Sequence, residues 1–163
     1  MDLLSIIGSL ASVATAIGVF VAGWQIRLAK QLARTQFEDT LTQQFREIIW
    51  KIPVDALIGR EISEEQYQQT RDDFFRYIDL SNEQVFLRKN NRISKATWEL
   101  WRDGMKAFLA RPSFERAWKE FKAASPDIFK ELRRLEDEEF DTDPCTWVQQ
   151  AVVASKGGVL IEH

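Results

Sequence analysis

Asp72, Asp73, Asp79 and Glu83 fall within a short stretch that one helix could carry, and two of them brought together could in principle share general acid–base work. The same stretch holds Arg71 and Arg76, with Arg88 just beyond. Opposite charges three or four positions apart on a helix pair with one another, so this spacing predicts a solvated, ion-paired face rather than a catalytic dyad. The only histidine is the terminal His163, where a chain end cannot hold an imidazole in place. Cys145 is the only cysteine, so it forms no intrachain disulfide, and nothing near it has metal-ligand spacing. Nothing in these residues calls for a cofactor or a metal.

A second cluster joins Arg88, Lys89, Arg92, Lys95 and Arg102 to Trp98 and Trp101, the residue types that bind phosphates and stack on bases. Glu99 and Asp103 interrupt it, and tryptophans at i and i+3 on a helix are expected in a core. With 22 basic against 25 acidic residues and a net charge of −3, the composition argues against nucleic acid as a partner. A ribonuclease of the HEPN type needs an arginine followed within a few residues by histidine, and the chain has no such pair. Lys156 with Gly157-Gly158 lacks the order of a phosphate-gripping loop. The expectation is a protein that is not an enzyme.

A third group bears hydroxyls in apolar surroundings: Ser5, Ser9, Ser12 and Thr15. From Leu3 to Ile26 there is no charged residue, and about 20 such residues at 1.5 Å rise cross a bilayer core. At 100° per residue, these four gather with Gly8, Ala16 and Gly23 within roughly a third of the circumference. Leu4, Ile7, Leu10, Phe20, Val21 and Trp24 are among the residues on the other side. Small and hydroxylated residues on one stripe let helices approach and hydrogen-bond, so the stripe predicts self-association, with a water-lined pore wall as its sharper form. The alternative is that each hydroxyl bonds back to its own helix, leaving a passive anchor.

Trp24 stands at the far end as an interfacial anchor, followed by Arg27, Lys30 and Arg34, while the head carries only Asp2. The positive-inside rule then puts the following body in the bacterial cytoplasm, attached to the inner membrane and in contact with its lipid. A cleaved signal peptide would need a basic n-region, which is missing, although Ala14-Thr15-Ala16 resembles a cleavage site.

Helical periodicity continues through Leu28, Leu32, Phe37, Leu41, Phe45 and Ile48, with no Gly or Pro until Pro53. One long helix is therefore expected to leave the bilayer and enter the body. Ser63-Glu64-Glu65-Gln66 has capping-box spacing at the start of a helix carrying Tyr67, Phe74, Phe75, Ile78, Val85 and Phe86, and Asn90-Asn91 offers a turn. Ser94 is predicted to cap a helix bearing Trp98, Trp101, Met105, Phe108 and Leu109 that stops before Pro112. Ser113 is predicted to cap another with Phe114, Trp118 and Phe121. Ser125-Pro126 is read as a further start, with Asp127 complementing the dipole of a helix carrying Phe129, Leu132 and Leu135.

The acidic run from Glu136 to Asp143 then leads to a weakly patterned tail in which Trp147, Val148, Val152 and Val153 suggest one short helix. No period-two strand stands out, so the class is all-α. The domains are a transmembrane segment over 1–26, a cytoplasmic helical domain over 27–140 and a tail over 141–163.

Trp24-Gln25, Phe37-Glu38-Asp39, Tyr77-Ile78-Asp79-Leu80-Ser81-Asn82-Glu83-Gln84, Ile93-Ser94 with Thr97-Trp98, and Pro112-Ser113-Phe114 with Ala117-Trp118 carry a resemblance. The chain resembles, up to about residue 121, an uncharacterised bacterial family of small single-span membrane proteins with a cytoplasmic helical domain. In layout it is also similar to the membrane accessory proteins of RNA-targeting CRISPR systems, which form ring-like pores and limit phage growth. That likeness implies a homo-oligomeric membrane-permeability effector in phage defence. The alternative is a membrane-tethered adaptor whose helices bind a cytoplasmic protein partner.

Overall fold

The computed structural model describes the backbone of residues 3–147 and the side chains of residues 15 and 17–147. Among the described residues the chain is all-α, with six helices from Leu3 to Asp137, a further helical turn over 145–147 and no strand. It divides into two units, Met1–Asp39 and Thr40–His163.

Helix α1 (Leu3–Ile49) provides all the described structure of the first unit. Within that unit Arg34 Nε lies 3.5 Å from Glu38 Oε1 one turn on, and the Thr35 hydroxyl donates to the Gln31 carbonyl at 3.2 Å. Both are helix-internal contacts of the i, i+4 kind.

In the second unit, the last turns of α1 contribute buried Leu41 and the ring of Phe45. Then follow α2 (Val54–Leu57), α3 (Glu64–Lys89), α4 (Lys95–Leu109), α5 (Pro112–Ala124) and α6 (Lys130–Asp137). Helix α3 is the spine, with α5 and α6 packed against it and α4 against α5. Its start is the predicted capping box: Gln66 N–H donates to Ser63 Oγ at 3.2 Å, and Ser63 N–H donates to Gln66 Oε1 at 3.1 Å. Glu64 and Glu65 in its first turn and Arg88 and Lys89 in its last oppose the helix dipole. Asn91, at φ 55°, makes the turn that asparagine tolerates better than most residues. Ser94 caps α4 as expected, accepting from Thr97 N–H at 3.2 Å.

Two predicted starts are placed differently. Ser113 does not cap α5; it is buried inside the first turn, and Arg111 precedes the helix without a side-chain cap. Pro112 explains the shift, because its fixed φ suits the first helical position and it has no N–H to satisfy. Ser125-Pro126 does not open α6 either, since that helix begins at Lys130, after Phe129 in the left-handed region at φ 57°. The buried Phe129 ring packs edge-on to Phe75 at 5.4 Å and lies 6.0 Å from Trp118. Burial of that ring, worth about 1.5–3 kcal/mol, outweighs the roughly 1–2 kcal/mol cost of a left-handed non-glycine residue.

The displaced start finds substitute caps from elsewhere in the chain. Asn82 Oδ1 on α3 accepts from Leu132 N–H at 3.1 Å. Arg133 donates to the carbonyls of Lys122, Ser125 and Ile128, each at 2.9 Å, and so satisfies the open end of α5.

The core is aromatic. Phe74, Tyr77, Phe108 and Phe114 interlock with centroids 5.0–5.6 Å apart in edge or tilted pairs, the geometry that ring quadrupoles favour. Chain beyond Phe140 belongs to this core as far as the structure describes it, because Pro144 and Trp147 are fully buried. The rest of the expected tail helix, with Val148, Val152 and Val153, lies outside the described residues.

Candidate functional site

The feature of the first unit is what leaves α1 uncovered. Residues 17–33 are exposed on every side, including Ile17, Phe20, Ile26, Leu28 and Leu32, and Trp24 is 63% exposed. A Cβ added at Gly18 or Gly23 would meet nothing within 4 Å. Arg27 and Lys30 are likewise exposed, as is Thr15. The side chains of Ser5, Ser9 and Ser12 lie outside the described residues. Among the described residues no helix is long and apolar enough to cross a membrane; the first half of the uncharged run, residues 3–14, is not among the described side chains.

On α3 the acidic residues are not gathered into a site. Asp73 lies 3.7 Å from Arg76, and among the described residues no group of three His, Cys, Asp or Glu is placed to hold a metal ion. Arg71 turns away from the acids of its own helix. It donates from Nε to Glu120 Oε1 on α5 at 2.7 Å, and Glu120 also accepts from the Tyr67 hydroxyl at 2.7 Å. The Tyr67 bond, aided by Arg71 and opposed by partial burial, holds the Glu120 carboxyl below the usual range. Beside it Arg116 grips Glu64 through both terminal nitrogens at 2.7 and 2.9 Å, and the Glu64 carboxyl falls to about 2. These ties join the start of α3 to α5.

The basic cluster is taken up by acids. Arg88 donates to Asp143 from Nε at 2.8 Å and from Nη2 at 2.5 Å, and its Nη1 donates to the Ile93 carbonyl at 2.8 Å. Its side chain is only 7% exposed. Burial works against ionisation of Asp143, but hydrogen bonds from Arg88 and the Cys145 N–H outweigh it and keep that carboxyl below its usual range. Lys89 Nζ reaches Glu131 at 2.7 Å, Lys95 lies 3.7 Å from Glu99, and Arg102 pairs with Asp103 at 2.9 Å. Trp98 is a core residue, as its spacing predicts, whereas Trp101 is only half-buried; the buried Trp98 Nε1 has no hydrogen-bond partner among the described residues. Burial pushes the Cys145 thiol up, away from the thiolate a nucleophile needs.

The acidic run does work that sequence reasoning missed. Glu136 accepts from Trp118 Nε1 at 2.8 Å and from Lys122 Nζ at 2.7 Å. Glu138 accepts from Trp147 Nε1 at 2.8 Å, from Arg134 at 2.9 Å and from the Thr142 hydroxyl. Two buried indoles thus find acceptors in residues that their charge alone would assign to solvent.

No protein-family model, curated protein or solved structure matches the chain. What stands at this level is a small all-helical protein whose ionisable side chains mostly brace the fold.

Proposed function

We propose that this chain is a non-enzymatic inner-membrane protein that self-assembles through its N-terminal helix, with the body in the bacterial cytoplasm. The observation that carries this reading is the bare apolar surface of α1 from Ile17 to Leu32, which continues an uncharged sequence reaching back to Leu3. A helix that exposes so many large apolar side chains demands cover. Burying each of these large side chains is worth about 1.5–3 kcal/mol, so leaving the whole group in water would cost on the order of 10 kcal/mol. Lipid on one side and neighbouring copies on the other would remove that cost. Trp24, Arg27 and Lys30 then fix depth and orientation. Ser5, Ser9, Ser12 and Thr15 supply the surface that meets sister copies.

Mass measurement of the detergent-solubilised full chain tests the assembly, compared with Ser9→Leu combined with Ser12→Leu. An oligomer that shrinks in the double variant is the expected result. A wild-type monomer, or a product that stays soluble without detergent, refutes it. The sharper form, a membrane-permeability effector in phage defence, predicts dye release from liposomes that the double variant loses.

Exposed Trp50, Val54 and Ile58 in and beside α2 favour a second reading, a tethered adaptor that holds a cytoplasmic protein partner. Replacing residues 3–26 by an unrelated poly-leucine span separates the two: activity survives in an adaptor and is lost in an assembly that works through its membrane helix.

A further inference from the structure

Within the second unit, the last turns of α1 together with α3 and α4 enclose a cleft of about 300 Å³. Its walls are mainly rings: Phe45, Tyr77, Trp101 and Phe108, with Met105 beside them. Phe108 lies 6.0 Å from Phe45 and 5.6 Å from Tyr77, centroid to centroid. Leu100, 73% exposed, extends the apolar surface at the opening.

Three residues mark this space as more than a packing fault. Gln84 lines it and is 5% exposed, yet its side-chain amide makes no hydrogen bond among the described residues. Its amide is open to the cleft it lines, and the cleft is where a partner would sit. Arg46 is the one charged side chain lining the cleft, and its guanidinium has no ion-pair partner among the described residues. Gly104 also lines it, in the interior of α4, where glycine is the poorest helix former apart from proline. A Cβ there would meet nothing within 4 Å, so close packing does not explain the glycine. It leaves that part of the cleft wall without a side chain.

We propose that this cleft is a binding site for a compact aromatic carboxylate bearing a ring N–H or hydroxyl. The aromatic walls would take the ring, Arg46 the carboxylate and Gln84 the ring's polar group. The volume sits at the lower end of the range for ligand pockets, roughly 300–1,000 Å³, which suits one or two fused rings. Ser81 offers less, since its hydroxyl already donates to the Tyr77 carbonyl at 2.8 Å. The inference does not depend on α1 lying in a bilayer.

Calorimetric titration of the full chain in lipid nanodiscs, referenced to empty nanodiscs, tests it with indole-3-carboxylate and 1-naphthoate as probes. Both should bind saturably, the indole more tightly. Arg46→Gln should weaken both about tenfold, the loss of one charge-assisted contact. Gln84→Leu should erase the preference for the indole. Gly104→Leu should abolish binding of both while the thermal midpoint holds or rises, which shows that the fold is intact. Should that variant fold poorly, the exposed Arg46→Gln still decides the matter. No saturable binding of either probe, normal binding to a well-folded Gly104→Leu, or indifference to Arg46→Gln would each overturn the proposal. So would decanoate binding in place of both aromatic probes, which would assign the cleft to an acyl chain.

Discussion

Removing the Asp143 carboxylate should damage the body more than any other single surface-facing change, because of what it leaves behind. Arg88 is 7% exposed in its side chain and spends two of its three bonds on Asp143. In Asp143→Ala the guanidinium keeps only the Ile93 carbonyl at 2.8 Å. Breaking a buried ion pair from one side costs about 3–5 kcal/mol, and the surviving bond argues for the lower end, about 3 kcal/mol. The Cys145 N–H, which donates to Asp143 Oδ1 at 3.1 Å, loses its acceptor as well. For a domain near 100 residues each kcal/mol moves the midpoint by about 4–8 °C, so a fall of roughly 12–24 °C is expected.

The assay is thermal and urea unfolding of the full chain in mild detergent, followed by near-ultraviolet circular dichroism of the buried tryptophans. Replacing both partners, Arg88→Met with Asp143→Leu, should recover much of the loss, because an apolar pair has no stranded charge. A loss below about 1 kcal/mol in Asp143→Ala would show that the ion pair contributes little. The basic cluster around Arg88 would then need a role other than bracing the fold.

Other consequences can be checked alongside. Ser63→Ala removes the reciprocal cap at the start of α3 and should cost about 0.5–2 kcal/mol, read as a shift in urea midpoint at constant slope. Phe129→Ala empties an aromatic site and should cost about 3–5 kcal/mol; a smaller loss would mean that the left-handed start of α6 is held by Asn82 and Arg133 rather than by the ring. The carboxyls of Glu120, Glu138 and Asp143 sit below their usual range in the fold. Their contribution is present above the unfolded carboxylate range, about pH 4, and is lost as pH falls through the lower folded values. Acid titration should therefore show flat stability from pH 7 to about 5 and a decline below about 4, with Asp143→Ala declining less.

How much of this was legible beforehand depended on reach along the chain. The Ser63 capping box, the Ser94 cap, the Asn90-Asn91 turn and the stop before Pro112 were all readable, because each is decided by atoms within three or four residues. Helical period picked out the buried Tyr67, Phe74, Ile78 and Val85, but it also took in Phe75 and Phe86, which are 40% and 48% exposed. The candidate membrane face was legible for the same reason, since an uncharged run is a property of sequence. The cleft was not, because its walls come from residues spread from 42 to 108 that only packing brings together.

The amino-acid order therefore determined the all-α class, most helix boundaries and the apolar faces that had to find cover. Tertiary structure decided which charges were spent on the fold. Arg88 meets Asp143 across 55 positions, Arg71 meets Glu120 across 49, and Glu136 and Glu138 turn inward to the indoles of Trp118 and Trp147. Only packing could settle these partners: a charge gains little from a neighbour in water, and much from one it meets where water has been expelled. Phe129 shows the same rule for the backbone, since Ser125-Pro126 offered a helix start and burial of one ring moved it to Lys130.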